Sequence, residues 1–152
     1  MPAPQEHRPT RAASVTGPAS RRPVILATFA VRIEPAAEWM AIESALEAGV
    51  ELIVANLMRL QSPTSMILLE EDLEEVRRTA ARAKGWGVST ELLMSMSGRR
   101  PAKALLRLAR ERDAGLVVFG PDRRRTGCRR YRRAARTVRE GLDCLVWIAD
   151  DD

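Results

Sequence analysis

The sequence predicts a single doubly wound α/β sheet of five mainly parallel strands, with helices on both faces. Three observations carry this. Five short apolar runs recur along the chain, each of strand length and most too continuous to be half-exposed, as strands covered on both faces require. Between them lie segments whose apolar residues repeat at helical spacing, and such alternation builds βαβ units on a parallel sheet. The chain has 152 residues and no internal repeat, which suits one domain with a real core.

The elements follow in order. Residues 1–22 are rich in Pro, Ala, Ser and Arg, show no apolar period and lack the apolar run of a signal peptide. They predict a disordered basic arm, and the domain is expected over 23–150. VILATFAV (24–31) is the first buried strand. Pro35 opens a helix with Trp39, Ile42 and Leu46 on its buried face, and Gly49 closes it. ELIVANLM (51–58) is the second strand, followed by a polar loop through Pro63. The next helix carries a stripe of Leu69, Leu73, Val76, Ala80 and Ala83, with acids early and bases late as the helix dipole favours. KGWG ends it, with Trp86 at the turn, and VSTELLMSM (88–96) is the third strand.

Gly98 turns the chain and Pro101 starts a helix that buries Ala104, Leu105, Leu108 and Ala109. GLVVFG (115–120) is the fourth strand, CLVWIA (144–149) the fifth, and the chain closes on three aspartates. Trp39 and Trp147 are expected to pack in the core or an interface, and Met58, Met66, Met94 and Met96 in the core.

Composition excludes several functions. The apolar share of 45% and charged share of 30% suit a soluble globular domain, and no stretch reaches the ~20 apolar residues of a membrane span. The only histidine, His7, lies in the arm, so histidine-based catalysis and a histidine metal site are not expected. No phosphate-loop, dinucleotide, nucleophile-elbow or zinc-protease motif occurs. No cofactor, metal or catalytic residue is therefore expected, and the chain is read as no enzyme. Cys128 and Cys144 make no disulfide framework and suit a reduced, cytoplasmic chain; Cys128, beside basic residues, is the more reactive candidate.

The net charge is +5, and lysine occurs only at Lys84 and Lys103. Arginine is thus the default base, but it is not evenly spread: nine arginines fall between Arg123 and Arg139, with no acid among them. Tyr131, Ala134, Ala135, Val138 and Leu142 recur three and four apart, so the segment reads as a helix packed on the sheet with a basic outer face. Like charges at Arg125/Arg129, Arg129/Arg133 and Arg132/Arg136 would repel by a few tenths of a kcal/mol per pair. An anion near Arg123, Arg124, Arg125, Arg129, Arg130, Arg132 and Arg133 would offset that cost. The guanidinium fork suits phosphate and carboxylate alike.

The stretch SGRRPAKALLRLARERDAGLVVFG resembles the universal stress proteins, whose glycine–acid–proline turn leads into an amphipathic helix and an ADLIVMG-type strand. CLVWIA is similar to that family's closing strand, and the element order agrees from about Val24 to Ala149. The resemblance implies a Rossmann-like five-stranded parallel fold, commonly dimeric through the last strand, here Leu145, Val146, Trp147 and Ile148. Nucleotide-binding members carry a signature after the fourth strand: glycine, two residues, glycine, nine residues, glycine, then Ser or Thr. Here Gly120 fits the first position, but Arg123, Arg133 and Ala134 fall on the others. A slide of one residue gives Arg132 and Arg133. The family's Asp at the end of strand one is also missing, where Thr28, Phe29 and Ala30 stand.

The resulting expectation is a non-catalytic, universal-stress-protein-like regulatory module. It binds an acidic or anionic protein partner through the arginines, forms a homodimer by its last strand, and leaves the ATP site unused. An RNA- or ribosome-associated stress factor and an atypical nucleotide- or phosphate-binding switch remain as alternatives.

Overall fold

The computed structural model describes residues 22–58, 63–96 and 100–149, with 63–69 as backbone only. The expected arm, apart from Arg22, lies outside the described residues, as do Gly98, the side chains of Met66 and Leu69 and the terminal aspartates.

Five strands, β1 (Val24–Thr28), β2 (Leu52–Met58), β3 (Thr90–Met96), β4 (Leu116–Phe119) and β5 (Leu145–Ile148), form one sheet in the order β3-β2-β1-β4-β5. Every pairing is parallel. The three inner strands are the most continuously apolar, and β1 and β2 are buried along their whole length. The helices are α1 (Pro35–Ala48), α2 (Pro63–Gly85), α3 (Pro101–Glu111), α4 (Arg123–Thr126) and α5 (Cys128–Gly141).

The sheet divides the core. Val24 and Leu26 of β1 point into a cluster with Ala37, Ala41, Ile42 and Ala45 of α1 and Val76, Ala80 and Ala83 of α2. Ile25 and Ala27 point the other way, toward Leu105 and Leu108 of α3 and Tyr131, Ala135 and Val138 of α5. That is the predicted doubly wound architecture. Pro occupies the first turn of α1 and α3, where a missing N–H costs nothing, and Gly49 ends α1 in the left-handed region at φ 70°.

Several expectations are corrected. Pro63 belongs to α2 rather than to a loop. Trp39 and Leu46 are exposed at 51% and 40%, because α1 approaches the sheet on its alanines. Trp39 instead meets the exposed Trp86 edge to face at 5.7 Å. Met96 is exposed, whereas Met58 is buried and Met94 partly so. The α2 stripe is rotated: Asp72 and Thr79 are buried with Val76, Ala80 and Ala83, and Leu73 only partly. No described helix is long and apolar enough to cross a membrane.

Candidate functional site

Strand order reverses between β1 and β4, and in open α/β sheets the crevice beyond the strand ends at that point is where ligands bind. In this chain the loops leaving the two strands are tied to each other. Glu34 N–H donates to Gly120 O at 2.9 Å and Asp122 N–H to Arg32 O at 3.0 Å, and Ile33 bridges Pro121. Thr28, one of the three residues that stand where the resemblance implies an Asp, is fully buried and donates its hydroxyl to Val31 O at 2.6 Å. Ala30 takes a left-handed φ of 61°, and its N–H donates to Asn56 Oδ1 at 2.8 Å. Gly120 has a packing reason to be glycine: a Cβ there would lie 2.9 Å from Leu26 Cδ1 and 3.1 Å from Ala27 O.

Two ion pairs fasten these loops to α2. Arg32 lies 3.5 Å from Glu75, and Arg125 lies 3.7 Å from Asp72. Burial pushes the Asp72 carboxyl above the usual carboxylate range. Arg125, the Arg32 backbone and the Arg32 charge offset only part of that.

The arginine segment is two helices rather than one. Asp122 caps α4 by accepting the Arg124 N–H at 3.0 Å. Gly127, at φ 93° and ψ 142°, then breaks the path in a region that belongs to glycine. Arg125 and Arg129 are therefore not successive turns of one helix, so their expected i, i+4 repulsion is withdrawn. Arg129/Arg133 and Arg132/Arg136 do share α5. Tyr131, Ala135 and Val138 form its buried face, with Ala134 and Leu142 partly buried, as the spacing predicted.

The arginines divide by location. Arg123 lies over the Tyr131 ring, 4.8 Å from its centroid, in a cation–π contact. Arg125 takes the buried acid. Arg124, Arg129, Arg130, Arg133, Arg136 and Arg139 are exposed and make no ion pair with a described residue. The first turn of α5 has no acid and no side-chain cap, so Arg129 and Arg130 stand at the positive end of the helix dipole. The signature positions are dispersed: Arg123 sits in α4, and Arg133 and Ala134 lie in the second turn of α5, past its start. The Arg133 and Ala134 N–H groups lie within α5, beyond its first turn.

Among the described residues the fifth strand is an edge, paired with β4 alone. Val146 and Ile148 pack toward α5, Trp147 toward the opposite face, and Leu145 is 74% exposed. A cleft of about 320 Å3 runs between α5 and this edge, with Arg132, Arg136 and Arg139 on one side and Ile148 and Ala149 on the other. Cys128 is exposed at the start of α5, and burial pushes the partly buried Cys144 thiol up. No group of three or more His, Cys, Asp or Glu among the described residues could hold a metal ion.

No protein-family model and no curated protein matches the sequence. Solved structures do. A universal stress protein from Archaeoglobus fulgidus in complex with dAMP superposes with a TM-score of 0.62 at 21% identity, over 85% of this chain and 98% of that one. This chain has the universal-stress-protein fold. A universal stress protein family member from Burkholderia pseudomallei agrees at TM-score 0.60 and 22% identity, over 88% of this chain and 98% of that one. One from Arabidopsis thaliana with AMP bound agrees at 0.54 and 11%, over 86% and 92%. The universal-stress-protein fold thus places β1 and β4 at the centre of this chain, and its arginine helix α5 and strand β5 at one end of the sheet.

Sequence reasoning missed Asp72, Asn56 and the break at Gly127. The signals were present. Asp72, Val76, Thr79 and Ala83 are spaced four, three and four apart, and a glycine stands in the middle of the basic run.

Proposed function

We propose that this chain is a non-catalytic binding and regulatory module of the cytoplasm. It holds an acidic protein partner through its arginine surface and does not use the β1–β4 crevice for a nucleotide. The observation that carries the reading is the contrast between the two regions. The crevice loops hydrogen-bond to each other, while six exposed arginines near them make no ion pair with a described residue. Such a surface carries self-repulsion that a polyanionic partner would relieve, and guanidinium forks grip carboxylates in paired hydrogen bonds. Tyr131 is buried against Phe119 and beneath Arg123, which argues for carboxylates over bases, since stacking on exposed aromatics is what single-stranded RNA needs.

The bound nucleotides of the similar structures belong to those proteins. Carrying a nucleotide over to this chain would require the Gly120–Arg123–Arg133–Ala134 positions to cradle phosphate, and three of the four are not the residues that do so. Homodimerisation through Leu145–Ile148 is compatible with the open edge of β5, and its test is light scattering at micromolar concentration.

The deciding experiment is a pull-down from native lysate with the wild-type chain and with Arg129, Arg130 and Arg133 changed to Ser. Washes with ATP and with high salt follow, and retained protein and RNA are both identified. The expected result is a protein complex lost in the triple variant and indifferent to ATP. Elution by ATP, or recovery of RNA or ribosomes that wash away with salt, would overturn the reading.

A further inference from the structure

We propose that the N-terminal arm of this chain, through Arg8, Pro9, Thr10 and Arg11, docks on the Trp39–Trp86 pair and the acidic outer face of α1. The inference is independent of the acidic-partner reading, because it concerns the opposite face of the sheet.

Three observations converge on this patch. First, Trp39 and Trp86 are both half-exposed and meet at 5.7 Å with their rings inclined at 71°, so the two indoles form a corner. Leu46, also exposed, stands two turns on from Trp39 on the same side of α1, and the exposed Glu43 lies between them. Proline rings and guanidinium planes pack against aromatic surfaces of this kind.

Second, charge is divided across the sheet. The helices packed on the Trp side, α1 and α2, carry eight acids and four bases, whereas α3 and α5 on the other side carry two acids and nine bases. Helix α1 itself has Glu38, Glu43 and Glu47 and no base. Residues 1–21 set Arg8, Arg11 and Arg21 against Glu6 alone, so this segment is drawn to α1 and repelled by α5.

Third, the arm can reach. Val24 is in register with Leu52, and Leu52 with Thr90, so the start of β1 and the turn after Trp86 lie at one end of the sheet. Two strand spacings, about 10 Å, separate them. The 13 residues from Pro9 to Arg22 span up to about 45 Å, enough to cross that end and follow α1. Arg8 and Arg11 are three positions apart, one turn of the extended helix that proline favours. Pro9 can then lie against the indoles while both arginines turn toward the acids of α1. The α5 helix of a second copy would bring charge of the same sign, but it has no proline and no tether.

The test uses the full chain, enriched in nitrogen-15 and carrying a nitroxide on Ser14→Cys in a Cys128→Ser background. The expected result is a selective loss of amide intensity at Trp39, Glu43 and Leu46 and at the Trp86 indole N–H. R8E/R11E, which alters the arm alone, restores the intensity. W39A/W86A restores it at Glu43 and Leu46, with the amides of β1 and β2 unmoved to show that the domain is folded. A loss centred on α5, a loss spread evenly over the surface, or none at all overturns the proposal. So does a loss that survives R8E/R11E or W39A/W86A. The same loss in a mixture of enriched chain without nitroxide and unenriched chain with it assigns the patch to the arm of a second copy, and overturns docking within one chain.

Discussion

Replacing Gly120 by Ala separates a glycine kept for packing from one kept for a phosphate. The backbone there is not in the left-handed region, so an alanine meets no conformational penalty. It meets atoms instead. Its Cβ would sit 2.9 Å from Leu26 Cδ1, 3.1 Å from Ala27 O and 3.3 Å from Ile33 Cγ2, where carbon contacts settle at about 3.5–4.0 Å. Leu26 is fully buried and can yield only into a filled core. Ala27 O is backbone and already accepts the Gly120 N–H at 2.8 Å.

Overpacking of this kind costs about 1–3 kcal/mol, and the stiffer unfolded chain returns about 0.4–1 kcal/mol. The net expectation is about 1–2 kcal/mol of destabilisation. In urea that lowers the unfolding midpoint by roughly 0.5–1 M with an unchanged slope. Shortening Leu26 to Val removes the nearest methyl, so in that background the Gly120→Ala cost is expected to fall by about 0.5–1 kcal/mol. An unchanged midpoint, or strict additivity of the two substitutions, would refute the packing explanation.

Other perturbations test other parts of the structure. Gly127→Ala has open space around it but must hold φ 93°, so a cost of about 1–3 kcal/mol is expected from strain alone, read as a lower midpoint in urea. Glu38 joins α1 to α2 by accepting from Arg82 at 2.6 and 2.9 Å and from the buried Thr79 hydroxyl at 2.8 Å. Glu38→Ala is expected to cost about 1–2 kcal/mol in urea titration, the Arg82 share being discounted because that side chain is half-exposed. Burial alone would raise the Glu38 pKa, but the bonds from Arg82 and Thr79 outweigh it and hold the carboxyl below its usual 4.5. Its stabilisation is therefore present above pH 4.5 and lost as pH falls through the folded value, and Glu38→Gln should flatten that part of the stability–pH curve. Asp72 acts in the opposite sense: its raised pKa lowers stability as pH rises from 3.8 through the folded value, so Asp72→Asn should remove that loss. With a thiol-reactive chromophore, Cys128 is expected to react fast and Cys144 slowly, and Cys128→Ser should abolish the fast phase.

Much of the fold was legible in the sequence because strands buried on both faces must be continuously apolar, and Val24–Thr28 and Leu52–Met58 are. The buried faces of the helices were harder. The eye goes to Trp39 and Leu46, yet α1 seats itself on Ala37, Ala41 and Ala45, whose small side chains let the helix come close to the sheet. Asp72 looked like one more acid on a charged helix, because nothing local announces that a buried carboxylate will be met by Arg125 from 53 positions further on. The site was legible as chemistry but not as shape. The surplus of arginine is plain in the sequence, while the break at Gly127, the cleft beside β5 and the tied loops above β1 and β4 depend on how distant segments meet.

The most direct test is a two-dimensional amide NMR titration of one sample, first with octaglutamate and then with magnesium ATP. The expected result is saturable shifts from Cys128 to Gly141 with the acidic peptide, and none at Thr28, Ala30, Asn56 or Gly120 with ATP. Saturable ATP shifts at those four residues, with α5 silent toward octaglutamate, would contradict the assignment of binding to the arginine surface.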